Sequence, residues 1–338
     1  MDLLNKKNYP FFRRAQGIFL LLGLMLLTAI AGCIFGSTAM RFSDFIEGLL
    51  MRPGYEKQSI IIYYIRIPRV LGAFLAGIGL SVSGVLLQTI TGNPLAGPNI
   101  IGINAGAGLA CVLILSFFPM LTETLPLASA IGALATTALI LFIARRINTN
   151  SSTLVLSGIA CTTLLNACIS TLTLIDPDVL MSYNAFSVGG LNGVVLSQLY
   201  LPATMIGICL IITLLFSKQI QCLFLGDTIA RSLGVNVSAV RFLCAVCASV
   251  CAASVVSYAG LLGFVGLVVP HIARRLCGCS VGPQLVISSI IGSILVMLAD
   301  LLGRIILAPT EISVGIIMAF IGTPFFFILL MQRRKIYD

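Results

Sequence analysis

The sequence predicts an all-α, polytopic membrane protein with about ten transmembrane segments, one of them a half-length helix, in a single domain over residues 1–338. Three observations predict it. Of 338 residues, 59% are hydrophobic and only 9% are charged, against roughly 25% charged in ordinary soluble domains. Apolar runs of about 20 residues, the length that crosses a ~30 Å hydrocarbon core, recur from end to end. No stretch reads as a soluble domain or linker, and the longest polar connections are 37–65 and 217–239.

The first apolar run, 15–36, follows a basic start as a signal peptide would. It is long and lacks a convincing small-residue cleavage site, so it reads as a retained first span. Further spans are expected at 66–88, 95–118, 125–143, 153–174, 194–216, 240–260, 264–276, 283–303 and 311–331. Arg66-Ile-Pro-Arg69 enters the second span. Gly92-Asn-Pro-Leu-Ala-Gly-Pro-Asn99 is a glycine- and proline-broken start to the third. Leu225–Gly234 reads as a short amphipathic helix with a glycine C-cap. The segment Gly263–Leu276 is apolar, ends in paired arginines and is too short to cross. Hydrocarbon tolerates such broken backbone only inside protein or beside water.

An even segment count puts both termini on one side, and basic residues say which. Fourteen of the 20 Lys and Arg fall on the face of the termini, among them Lys6, Arg13, Arg145, Arg231, Arg241, Arg274, Arg275 and Lys335. With three of the 11 acids, that face carries a net +11, and the other carries −2. Cytoplasmic loops gather Lys and Arg, so both termini are expected in the cytoplasm. The basic balance is thus a topology signal, and no aromatic-plus-basic platform points to nucleic acid. Arg241 and Arg274 share the inner face, yet the roughly 32 residues between them make only about 48 Å of helix. One arm must therefore be short, and Phe264–Leu276 returns to the cytoplasm as the half-length helix.

The remaining chemistry is sparse. The eleven cysteines read as small hydrophobes in spans, or as reduced thiols at Cys277 and Cys279. A metal site would need further ligands, and the chain has one histidine. There is no Gly-x-x-x-x-Gly-Lys-Ser/Thr loop for ATP. No acid is placed at mid-span, where an ion-coupled secondary transporter, the alternative reading, would carry one.

Taken together, the motifs stop being generic. Arg66-Ile-Pro-Arg69, Gln88, Asn93-Pro94-Leu-Ala96, Leu225-Gly226-Asp227, Phe264-Val-Gly266-Leu-Val-Val-Pro270-His271, Ala299-Asp300, Glu311 and Gly322-Thr-Pro324-Phe325 closely resemble, in this order, the FecCD or BtuC-like permeases. These are subunits of ABC importers for ferric siderophores, haem and cobalamin. The resemblance implies a dimer with a second copy or a paralogue, two cytoplasmic ATPase subunits and an extracytoplasmic solute-binding protein. It implies no cofactor bound by this chain, with ATP and Mg used by the ATPases. The setting would be a bacterial or archaeal cell membrane and its lipid. Arg66, Arg69 and Arg304 would meet carboxylates of the binding protein. Gly226, Asp227, Ala230, Leu233, Gly234 and His271 would form the ATPase coupling region, with Asp227 capping the helix and Ala230 and Leu233 as its apolar face. Ser151 and Ser152 match cytoplasmic gate residues, and Gln88, Asn93, Pro94, Gly266, Pro270, Asp300, Glu311 and Pro324 remain as structural motif residues. A ferric siderophore is the leading cargo, with haem and cobalamin open; the pathway walls are expected from the second, fifth and eighth to tenth segments.

Overall fold

The computed structural model describes residues 15–38, 40–98, 102–147, 151–278 and 280–334. Lys6, Arg13, Asn99, Cys279 and Lys335 of the sequence reading lie outside the described residues. The described regular structure is helical. In order it comprises α1 (Ala15–Ile34), α2 (Phe42–Leu49), α3 (Glu56–Ile60), a π turn (Ile61–Arg66), α4 (Ile67–Thr91), α5 (Ile103–Phe117), α6 (Leu125–Ile147) and α7 (Ser151–Ile175). Then follow α8 (Pro177–Val188), α9 (Leu196–Leu215), α10 (Ser217–Cys222), α11 (Asp227–Ser232), α12 (Val237–Ala259), α13 (Val265–Cys277), α14 (Val281–Ile305) and α15 (Val314–Arg334). Among the described residues, by length and hydropathy alone, 7 helices could cross a membrane, while Ile103–Phe117 and Val314–Leu329 are apolar but shorter.

Several elements differ from expectation. Arg66-Ile-Pro-Arg69 does not open the second span: helix runs unbroken from Glu56 to Thr91. Pro68 looks like a helix start because it lacks an N–H and its ring crowds the carbonyl four residues back. Here it follows the π turn, where Ile67 N–H bonds to Ile62 O, one residue further back than in an α-helix. The third span begins at Ile103, not 95. Asn93 and Pro94 lie in a turn instead, where Asn93 Oδ1 accepts the Leu95 N–H at 3.0 Å. The unexpected helices are α2, α3 and α10, inside the connections 37–65 and 217–239, and between two spans α8. Its start is written in Asp176-Pro177-Asp178: Asp176 Oδ1 accepts the Asp178 N–H at 2.9 Å, and Pro177 occupies the first turn.

Helix α4 is the axis of the molecule, and most of its residues from Pro68 to Ile90 are buried. It runs antiparallel to α14: Ser293 Oγ donates to Phe74 O at 2.9 Å, and Arg69 Nε donates to Asp300 Oδ1 at 2.8 Å. The two helices touch backbone to backbone, since a Cβ on Gly77 would fall on Gly292 and one on Gly292 would fall on Gly77. Small residues allow such approach inside membranes, where dispersion and packing hold helices together.

The half-length helix α13 has 13 residues and docks the same way, with Gly84 of α4 against Gly266 O. Pro270 deprives Gly266 O of its helical donor. Gln88 Nε2 points at that carbonyl at 3.3 Å, so Gln88, Gly266 and Pro270 form one unit. The break before α13 turns on Phe264, a non-glycine residue in the left-handed region at φ 64°. Such a conformation costs on the order of 1–3 kcal/mol and persists where surroundings over-determine it. Here the Phe264 ring lies where a Cβ on Gly322 of α15 would go. Gly84→Leu is expected to destabilise the bundle by about 3 kcal/mol or more, because the obstruction is backbone. Gly72→Ala, which meets only side chains at 3.4–3.5 Å, is the milder control. Thermal unfolding in detergent checks the pair.

Candidate functional site

Two clusters stand at opposite ends of the bundle, as the antiparallel α4–α14 pair requires. At the first, Arg66 ends the π turn, Arg69 lies one turn on, and Arg304 comes from the last turn of α14. Arg69 Nη1 donates to Glu311 Oε2 at 2.7 Å and Arg69 Nε to Asp300 Oδ1 at 2.8 Å. Arg304 Nη2 pairs with Asp300 Oδ2 at 2.9 Å. The C-terminus of α1 and the residues just after it supply further acceptors. Arg66 donates to the carbonyls of Cys33, Ile34 and Thr38, and Arg304 donates to those of Gly32 and Phe35. A helix C-terminus carries roughly half a negative charge. Three cations against two acids, with that half charge beside them, leave the cluster slightly positive.

This overturns the picture of surface arginines. Arg66, Arg69 and Arg304 are only 2%, 5% and 2% exposed, so they are not free to reach carboxylates on another protein. Guanidinium groups this dry must be paired inside the chain, and they are. Glu311 is the exposed lip of the cluster, with 23% of its side chain accessible. Burial pushes its carboxyl up, but the Arg69 hydrogen bond and the charges of Arg69 and Arg304 outweigh this and hold it below the usual carboxylate range. Its ionic contribution is therefore complete above the usual carboxylate range and is lost as pH falls through the lowered value. Asp300 and Glu311, expected only as structural motif residues, are what neutralises the arginines.

At the other end, α13 finishes beside the segment that precedes α11. Arg274 lies 5.2 Å from the centre of the Phe224 ring, and His271 meets Phe325 of α15 edge-on at 5.9 Å. Helix α11 closes in a Schellman turn: Val235 N–H reaches Ala230 O at 3.1 Å and Gly234 N–H reaches Arg231 O at 3.0 Å, with Gly234 at φ 80°. Two expectations fail here. Asp227 does not cap the helix, since Gly226 is the cap residue and Asp227 binds Arg241 of α12 through both oxygens, at 2.8 and 2.9 Å. Ala230 is fully buried against the core and offers no outer face. The outer apolar face is Leu225, Ile229 and Leu233, which are 53%, 51% and 59% exposed.

A third feature is α7. Only 17% of its best apolar window is buried, yet Thr163, Asn166 and Ser170 lie along one exposed face at i, i+3 and i+7. Ser151 and Ser152 open this helix, and their side chains lie outside the described residues. Pro324 sits within α15. Among the described residues no group of three or more His, Cys, Asp or Glu could hold a metal.

The comparisons with known proteins agree with one another. Residues 23–332 match the FecCD transport family. The "Probable heme-iron transport system permease protein IsdF" of Staphylococcus aureus strain MSSA476 is 34% identical over 335 residues, covering 99% of each chain. Its counterpart in strain Newman gives the same values. A solved structure described as a metal-chelate type ABC transporter in an inward-facing conformation superposes at TM-score 0.83. It is 27% identical, covering 94% of this chain and 100% of that one. PsaBC from Streptococcus pneumoniae, solved with a Fab, shares the fold at TM-score 0.58 and 17% identity, covering 85% of this chain and 95% of that chain.

Proposed function

The chain belongs to the FecCD transport family and is the permease subunit of an ABC importer, and from that premise we propose that it carries an iron chelate, haem first among those to test, along a pathway walled by α7. One observation carries the pathway assignment. A carboxamide and two hydroxyls on one face of a span are costly against lipid. Thr163, Asn166 and Ser170 are exposed in the single chain, so they face water or a second permease copy. In a dimer with a second copy or paralogue, this face would line the space between the two chains, with Ser151 and Ser152 at its gate end.

The two ends then take separate tasks. The excess of Lys and Arg faces the cytoplasm together with both termini in the cell membrane. There Leu225, Ile229 and Leu233 form the surface that two ATPase subunits grip, with His271 bracing α13 from within and ATP and Mg held by those partners. The arginine end faces the solute-binding protein. Its buried cluster frames the docking face, and Glu311 at its lip is the charged group a partner meets.

The reading is tested by reconstituting the chain with its ATPase and binding protein in liposomes. ATP-dependent accumulation of haem, absent without the ATPase, is the expected result. Accumulation of a ferric siderophore or cobalamin but not haem would overturn the cargo. Accumulation of any chelate without the ATPase would overturn the importer. In the same vesicles, Asn166→Cys is expected to react with a membrane-impermeant maleimide, whereas Leu139→Cys on the exposed apolar face of α6 stays unlabelled.

A further inference from the structure

Beside the arginine cluster, α1, α2 and α4 leave a groove of about 430 Å³ with a wholly apolar lining. Phe45, Ile62 and Val70 form its buried floor, and Ile30, Leu49 and Leu71, each 39–50% exposed, form its rim. We propose that a phospholipid of the surrounding bilayer lays one acyl chain in this groove and is held there as part of the fold. The occupant follows from what the rim joins. Only 22% of the window Gly17–Ile34 is buried, and Phe19, Leu26 and Leu27 stand 62–71% exposed along the same helix as Ile30. The groove is an indentation in that lipid-facing surface. Dense packing is the rule in folded proteins, and an unfilled cleft forfeits dispersion contacts on every wall. A flexible hydrocarbon chain fills it at little cost.

Helix α2 fixes the depth. Phe45 turns inward while Phe42, Ile46 and Leu49 are exposed, the arrangement of a helix lying in the headgroup plane. Charge does not select the headgroup, because residues 41–57 hold Arg41, Arg52 and Lys57 against Asp44, Glu47 and Glu56. Recognition is of the chain. The bound chain would also brace Cys33, which lines the groove and whose carbonyl accepts from Arg66.

The chain contains no tryptophan, so one introduced residue, read as the difference from the same complex without it, gives a fluorescent reporter. Leu71→Trp places it at the rim, and Phe19→Trp on the open face of α1. The permease complex is purified in detergent with phosphatidylcholine brominated on its acyl chains, then transferred to nanodiscs of unbrominated lipid. Leu71→Trp is expected to stay largely quenched while Phe19→Trp recovers, and brominated phosphatidylglycerol is expected to act equally. Equal recovery at both positions would show ordinary exchanging lipid and overturn the proposal. A Leu71→Trp reporter that brominated lipid never quenches would show a protein neighbour over the groove, such as a second copy, and would overturn it too. Leu49→Trp repeats the measurement from the opposite rim should Leu71→Trp fail to assemble.

Discussion

Replacing Asp300 by Asn is expected to destabilise the protein by about 3–5 kcal/mol, the cost of breaking a buried ion pair and leaving its cation without compensation. Asp300 is 1% exposed and stands between two arginines, with Arg69 Nε at 2.8 Å and Arg304 Nη2 at 2.9 Å. Asparagine keeps the shape but removes the charge, so three guanidinium groups would share Glu311 and the carbonyls of α1. Arg52→Ala is the control. Its pair with Glu47 is 3.0 Å long, but Arg52 is 61% exposed, and such pairs contribute about 0–1 kcal/mol. Asp300→Asn combined with Arg304→Met should recover part of the loss, because it also removes one of the two cations that Asp300 neutralises. Thermal unfolding of the four proteins in one detergent decides the matter. A loss at Asp300 no larger than that at Arg52 would show that the cluster is hydrated and that its ionic lock is illusory.

The sequence reading placed these arginines at the right end of the right helices and gave them the wrong surroundings, for a physical reason. Span positions are legible because hydrocarbon demands long apolar runs. The half-length helix was legible too, since two basic residues on one face cannot be separated by two full crossings in so few residues. Partners are not local. Asp300 and Glu311 lie 231 and 242 positions from Arg69, and it takes the packing of α4 against α14, with the connection after α14 folded back through Ile312 N–H to Gly303 O, to bring them together. A snorkelling arginine, a docking arginine and a buried, paired arginine are written with the same letters. The π turn left no mark in the letters, so the second span read as beginning at 66, whereas the helix starts at Glu56. By contrast α8 was written plainly, in an Asp cap followed by Pro, but it lies between two longer apolar runs that absorb attention. The groups that fill Gly77 and Gly84 are other backbones, and Gly292 meets both the Ser81 hydroxyl and the Gly77 backbone; a sequence can suggest such approaches through glycine but cannot pair them.

The same limit governs α11, where six residues are too few to fix a helical phase from periodicity. The structure fixes it, with Ala230 inward and Ile229 and Leu233 outward. Two substitutions on one short helix should therefore fail in different ways. Ile229→Glu with Leu233→Glu is expected to leave the permease folded, since exposed positions usually shift stability by no more than about 0.5 kcal/mol. It should weaken ATPase association on the order of a hundredfold or more. Burying a leucine or isoleucine contributes about 1.5–3 kcal/mol, and each 1.4 kcal/mol is roughly tenfold in affinity. Ala230→Leu should do the reverse. It forces added bulk into a closed core between α11 and α12, costing about 1–3 kcal/mol of stability, and touches the ATPase only through the damage. Co-purification with the ATPase and thermal unfolding separate the outcomes. If the double glutamate variant kept its ATPase at wild-type stoichiometry and still drove uptake, the grip would have to lie elsewhere, with Phe224 and the last turn of α13 the next surface to alter. Because Arg241 ties Asp227 of α11 directly to α12, a force applied to this small apolar face has an ionic route into α12 beside the turn at Gly234.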